Sequence, residues 1–243
     1  MRVPCYGNIQ LMPNHKPRPR LIVLEGIDLS GRTTQVQLLH DWLVALHYPV
    51  TTTAWRTSPL ISNVLKQAST GSMLQPLTYS MLYCADHLDR TQHVIKPALE
   101  LGEIVLADRY IYTAFARDEA RGMDRAWVRN LYRFSIEPDA VFYLHISPDE
   151  AVKRRLHRQQ EQQQIRSMKK GKKSSARFIA PATSPLPFSQ EALESFRTFE
   201  RKMYSQYQSM QKEFGFTVIE GSQSIDLVQL LLRSAVAHLL VDG

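Results

Sequence analysis

The run Gly26-Ile27-Asp28-Leu29-Ser30-Gly31-Arg32-Thr33 sets two glycines, a cation and a hydroxyl at the spacing of a phosphate-gripping loop. A polyphosphate is held by backbone N–H groups converging from a tight turn and from the first turn of a helix, where aligned peptide dipoles favour negative charge. Gly26 and Gly31 fall where a side chain would obstruct the turn or the approaching anion. Thr33 falls where a hydroxyl would ligate Mg2+, so Gly26 through Thr34 are the expected residues of an ATP site. Arg32 stands where this pattern has a lysine. A guanidinium keeps the charge and can pair with phosphate oxygens, but it is larger and planar where an ammonium is compact. Nucleotide binding is expected to survive that change, and transfer chemistry to be slowed or lost.

The elements around the loop suit it. Leu21-Ile22-Val23-Leu24 is an apolar run for a strand buried on both faces. After Thr34, Val36, Leu39, Leu43 and Leu46 recur at helical spacing, with Leu38 and Trp42 beside them. Val50 to Ala54 reads as a second strand. Helices are expected from Pro59 to about Ala68 and from about Leu77 to Leu99, the latter interrupted near Lys96-Pro97. Glu103 to Ala107 is a buried strand leading into Asp108-Arg109-Tyr110, and Met123, Trp127, Leu131 and Phe134 mark another amphipathic helix. A strand over Ala140–Ile146 is followed by Ser147 and Glu150 in capping-box spacing. Gln159 to about Pro187 is too polar to bury a core and is expected to be flexible. A helix from Gln190 to Phe214, a strand over Phe216–Ile219 and a helix from Ile225 to Leu240 complete the order. The alternation predicts an α/β domain of the P-loop NTPase type: a parallel sheet of about five strands, helices on both faces, and a flexible lid.

In an open parallel sheet, ligands lie beyond the carboxyl ends of the strands, so Gly26 and Asp108 should be neighbours. Asp108 is placed to hold magnesium through water, and Arg109 to contact phosphate. Asp28 is read as a partner for a ribose hydroxyl or the metal, or simply as a turn former. Arg56, after the second strand, could grip a monophosphate, and Tyr83 could stack on a base.

The 243-residue chain can bury one substantial core, and its net charge of +7 is segregated. Residues 1–20 carry four basic residues and no acid, and residues 151–177 carry ten against one, leaving the remainder net negative. Residues 1–19 are read as a disordered basic tail and residues 20–243 as the domain, within which the basic stretch of about 154–188 reads either as a phosphate-facing lid or as a solvated basic loop. Nucleic acid is not the expected partner. Cys5 and Cys84 lie without paired spacing, which suggests neither disulfide nor zinc and fits a reducing cytoplasm. Neither a membrane span nor a secretory signal is visible.

Four stretches resemble the thymidylate kinase family: Leu24 to Gln35, Ala85-Asp86 with Val94 to Leu99, Gly102 to Tyr110, and Pro138-Asp139 into Tyr143-Leu144. The resemblance covers about residues 19 to 240. It implies transfer of the ATP γ-phosphoryl group to dTMP with Mg2+, and a homodimer packed through helices. Arg154 and Arg158 take the places of the family's lid arginines, and with Leu29 inside the loop any catalytic arginine must come from that lid. The base site departs from the pattern. His87 stands for an arginine, Tyr83 for a stacking phenylalanine, and Arg117-Asp118 for a Tyr-Gln pair, while Arg90, one turn beyond His87, is a candidate replacement guanidinium.

Overall fold

The computed structural model describes residues 18–65, 74–169 and 190–241. Five strands, β1 (Arg20–Glu25), β2 (Val50–Ala54), β3 (Ile104–Asp108), β4 (Ala140–His145) and β5 (Thr217–Glu220), form one sheet in the order β2-β3-β1-β4-β5. All four pairings are parallel. Such a sheet needs cover on both faces, and β1 shows how the sequence supplies it. Leu21 and Val23 enter one core with Tyr110, Phe115, Met203 and Tyr207, while Ile22 and Leu24 enter a second with Leu39, Leu43, Leu232 and Val236. The expected α/β architecture is therefore present.

The helices are α1 (Arg32–Ala45), α2 (Pro76–Arg90), α3 (Lys96–Glu100), α4 (Ile111–Ala120), α5 (Arg125–Leu131), α6 (Pro148–Lys169), α7 (Gln190–Phe214) and α8 (Ile225–Val241). Between α2 and α3 the chain stays helical as a π-turn over Thr91–Ile95. Pro97 lacks an N–H and would clash with the carbonyl four residues back, and the widened turn just before it absorbs that conflict.

Three expectations need correction or limits. Helix α4 has no counterpart in the sequence reading because residues from Tyr112 to Asp118 are all buried, which erases the amphipathic period. The helix expected over Met123–Phe134 is the shorter α5, started by the Asp124 carboxylate accepting the Trp127 N–H at 2.7 Å. The stretch expected to be flexible from Gln159 continues α6 to Lys169, since Gln, Glu, Arg and Lys are good helix formers even where they bury nothing. The rest of that stretch, to residue 189, lies outside the described residues, as do most of the basic tail and the end of the helix expected over Pro59–Ala68. Of that helix, residues 62–65 are helical.

Candidate active site

Register brings the site together. Leu24 of β1 and Ala54 of β2 both stand opposite Asp108 at the end of β3. The loop after β1, the Asp108-Arg109 pair and the Trp55-Arg56 pair consequently leave three adjacent strands at one edge of the sheet.

The loop's shape follows from its glycines. A Cβ on Gly26 (φ +153°) would come within 2.7 Å of both the Leu144 carbonyl oxygen and the Ser30 hydroxyl. Gly31 (φ +97°) is left-handed and has open space where a Cβ would stand. It caps α1, whose first turn has neither a side-chain cap nor an acidic residue. Those N–H groups and the helix dipole thus fit an anion, which is the test a triphosphate must pass here. Thr33 donates its hydroxyl proton to Asp108 Oδ2 at 2.5 Å, so two oxygen ligands meet at the mouth of the loop. Among the described residues no group of three His, Cys, Asp or Glu side chains could hold a metal. A magnesium ion bound mainly through water and phosphate asks for only one or two protein oxygens, and Thr33 with Asp108 provides them.

Arg32 is tucked against its own loop. Its Nη1 donates to the Gly26 carbonyl, to the Ile27 carbonyl at 2.7 Å and to Ser30 Oγ at 3.1 Å, and its Nε to Asp108 Oδ1 at 3.2 Å. Leu29 turns left-handed at φ 66° between the buried Ile27 and Ser30, and Thr34 is exposed at the start of α1.

Arg109, also left-handed at φ 74°, forms an ion pair with Asp28 across the loop. Its Nη1 donates to Thr113 Oγ1 at 3.1 Å. Desolvation would raise the Asp28 pKa, but Arg109, Arg32, Arg155 and Arg56 together outweigh it and hold the carboxyl below its ordinary value. Beneath this pair lies Glu25, fully buried, accepting the Tyr110 N–H (2.8 Å), the Thr113 N–H (3.1 Å), the Thr113 hydroxyl (2.6 Å) and the Tyr207 hydroxyl (2.7 Å). A carboxylate on the first N–H groups of α4 fixes where that helix, and with it Arg109, begins. Burial nonetheless raises its pKa.

From α7, Glu200 accepts the Asp28 N–H at 3.1 Å while only 2% exposed. Desolvation, then the Asp28 charge, pushes its carboxyl up to about 7. Sequence reasoning missed Glu25 and Glu200. The signal for the first was a lone acid closing an apolar strand, and for the second there was none.

The expected lid arginines occupy different places. Arg154 donates to the Leu29 carbonyl (3.1 Å), the Gly221 carbonyl (2.8 Å) and Glu150 (2.9 Å), tying the phosphate loop to the turn after β5. Arg158 is exposed on α6. Arg155, not singled out from the sequence, is the α6 guanidinium whose charge acts on Asp28 and Glu200.

Base-side residues divide likewise. Arg56 (φ 64°) gives its N–H to Asp86 at 3.0 Å, and its charge acts on both Asp28 and Tyr83. His87 is fully buried, with Nε2 2.8 Å from Ser135 Oγ and its ring against Tyr110. Desolvation, with Arg90 nearby, lowers its pKa to about 3, so it is neutral. Arg90 is paired with Asp86 at 3.0 Å and Thr53 at 2.9 Å, which ties α2 to β2. The rings of Trp55, Tyr79 and Tyr83 surround the Arg117 guanidinium instead, at 4.9, 5.4 and 4.0 Å.

Among the described residues, no helix is long and apolar enough to cross a membrane.

The sequence model of the thymidylate kinase family matches residues 24–185. The chain is 34% identical over 218 residues to a probable thymidylate kinase 2 of Saccharolobus solfataricus, covering 89% of this chain and 94% of that protein. It is 34% identical over 142 residues to a probable thymidylate kinase of Thermococcus kodakarensis (55% and 69%), and 32% identical over 159 residues to a thymidylate kinase of Arabidopsis thaliana (64% and 59%). With a loop shaped for phosphate, an aspartate at the neighbouring strand end and this extent of shared sequence, the chain belongs to the thymidylate kinase family.

Proposed function

We propose that this protein transfers the γ-phosphoryl group of ATP to dTMP, giving dTDP and ADP. The observation that carries the reading is the meeting of Thr33, at the start of α1, and Asp108, at the end of β3, 2.5 Å apart at the end of the phosphate loop. In-line phosphoryl transfer needs its two partners aligned and their charge neutralised, without a covalent intermediate.

The N–H groups from Gly31 to Thr34 receive the donor phosphates. Thr33 and Asp108 would hold Mg2+, which would supply neutralisation of the donor's phosphate charge. Arg56 and Arg109, on either side of Asp28, orient the acceptor phosphate, and Asp28 is positioned for its sugar. Arg155 approaches from α6 to stabilise the transferring group, while Arg154 holds the loop in register. By the family relationship the working form is a homodimer, and by composition the compartment is the cytoplasm.

The tucked Arg32 favours a second reading, a domain that binds nucleotide and has lost transfer, because three of its contacts go to the loop itself. A coupled assay of ADP formation against a panel of nucleoside monophosphates decides between them. Turnover with dTMP supports the kinase. ATP binding with no turnover on any monophosphate supports the second reading.

A further inference from the structure

The turn that follows β5 forms the back of the phosphate loop. Gly221 is buried there, and a Cβ on it would stand 3.3 Å from the Ser30 carbonyl oxygen, 3.3 Å from the His145 carbonyl oxygen and 3.1 Å from Ile146 Cγ2. Its N–H donates to the His145 carbonyl at 2.8 Å. Its own carbonyl accepts Arg154 Nη2 at 2.8 Å, while Arg154 Nη1 reaches the Leu29 carbonyl at 3.1 Å. A shift of this turn is therefore passed to the loop twice, by contact at Ser30 and through Arg154 at Leu29.

A line of side chains holds the same turn from the other side. His145 closes β4 and Glu220 closes β5, and the two stand opposite each other in the parallel register. Alternation along β4 puts His145 on the face of Tyr143, which is the face that α7 covers with Tyr207. Glu220 Oε2 lies 3.0 Å from His145 Nδ1, Glu220 Oε1 accepts the Ser222 N–H at 3.2 Å, and His145 Nε2 lies 2.9 Å from the Tyr204 hydroxyl. A carboxylate only accepts, so Nδ1 carries the proton, and in the neutral ring Nε2 accepts from Tyr204. Desolvation of Glu220 is outweighed by the hydrogen bonds from His145 and Ser222, which hold its carboxyl below the ordinary value. On α7, Glu200, Tyr204 and Tyr207 follow one another at helical spacing and meet Asp28, His145 and Glu25. The side chains of His145 and Glu220 are 26% and 45% exposed. A pair this open adds little to stability, so what the line supplies is orientation.

We infer that His145 is a positioning residue for the donor nucleotide: held between Glu220 and Tyr204, it fixes the Gly221-Ser222 turn against the phosphate loop and so sets the loop's N–H groups for the donor's phosphates. Arg154 acts on the same turn from α6. The two side chains are therefore parts of one device, and losing either removes the same support. The inference rests on the donor half of the reading above, and it makes a prediction about binding that needs neither acceptor nor turnover.

The test is equilibrium binding of ATP with Mg2+, and separately of dTMP, to the full chain as wild type, Tyr204→Phe, His145→Phe, Arg154→Ala and the double variant His145→Phe/Arg154→Ala, with chemical unfolding of each. Tyr204→Phe keeps the ring and loses only the hydroxyl, and should weaken ATP binding about two- to tenfold, the scale of one ordinary hydrogen bond. His145→Phe should weaken it about tenfold, and dTMP binding should change less in both. The double variant should bind ATP no worse than its weaker parent within about twofold, because both changes act through one turn. Should His145→Phe not fold, Tyr204→Phe alone and combined with Arg154→Ala decides in its place. ATP affinity unchanged in the folded variants, a loss of dTMP affinity as large as the loss for ATP, or ATP losses that multiply in the double variant would each overturn the inference. Binding that follows the expected pattern without transfer to any monophosphate would remove the proposed function and leave this inference standing. Turnover of dTMP with unchanged ATP affinity in the variants would do the reverse, and a wild type that binds no ATP would remove both.

Discussion

Thr33 of α1 and Asp108 of β3, 75 residues apart in sequence, share a hydrogen bond of 2.5 Å. Asp108 forms an ion pair with Arg32 at 3.2 Å, and it interacts electrostatically with Arg109. The pair is therefore a fixed set of oxygens at the site where phosphate charge has to be neutralised. Asp108→Asn should lower kcat by about 10²- to 10³-fold, the usual scale for removing one preorganised electrostatic contact. Steady-state kinetics over a magnesium titration checks this, and the half-saturating magnesium concentration should rise with the loss.

Arg32 spends its donors on the Gly26 and Ile27 carbonyls, Ser30 and Asp108. A lysine there keeps the charge with a compact head that can turn toward phosphate. Arg32→Lys is expected to raise kcat on the order of tenfold, about 1.4 kcal/mol of barrier, with little change in the KM for ATP. Unchanged or reduced turnover would show that the guanidinium already does the lysine's work.

Gly26 tests the shape of the loop. A methyl group there would meet the Leu144 carbonyl of the backbone at 2.7 Å, and that oxygen belongs to the central sheet and cannot swing aside. Gly26→Ala should destabilise the fold by about 1–3 kcal/mol and weaken ATP binding. Chemical denaturation and a binding titration measure the two effects separately.

Glu200 provides a pH signature. Its carboxyl titrates at about 7 in the fold, against 4.5 ordinarily. A raised carboxyl contributes stability that is full below its unfolded value and is lost as pH rises through the folded one. Wild type should therefore lose stability between about pH 4.5 and pH 7, on the order of a few kcal/mol at most. Glu200→Gln should remove that part of the slope and be the more stable protein at pH 8. Thermal unfolding of both proteins across this range checks it, and parallel curves would show that Glu200 does not titrate there. Asp28, Arg109, Arg32 and Arg155 are the charged groups that act on the carboxyl.

Two adjacent arginines should separate by kinetics. Arg154 is anchored on two carbonyls and Glu150, so Arg154→Ala should loosen the loop and raise the KM for ATP more than it lowers kcat. Arg155, whose charge reaches Asp28, should show the opposite split, with kcat falling by about 10³-fold in Arg155→Ala. A shared pattern in both variants would deny them distinct roles.

What the sequence disclosed was the part written in local pattern. The loop from Gly26 to Thr33, the apolar strand before it and the Asp108-Arg109 pair each follow from spacing, and the sheet's edge rule was enough to make them neighbours. Tertiary choices were hidden. Helix α4 is buried almost all round and so has no amphipathic stripe, and Glu25, which starts it, looks like an ordinary strand-end acid. Position 154 against 155 on α6 could not be resolved because which face of a helix meets the loop depends on the path of the chain after β4. His87 and Arg90 were candidates by register with a family pattern, but their partners, Ser135, Asp86 and Thr53, come from elsewhere in the chain.

The central claim is tested most directly by following dTDP formation from dTMP and ATP with Mg2+ in wild type, Thr33→Ala and Asp108→Asn. The account predicts dTDP and ADP in equal amounts from the wild type, with both variants folded, still binding ATP and strongly slowed. Absence of dTDP from a wild type that binds both nucleotides, or full activity in the folded Asp108→Asn variant, would contradict it.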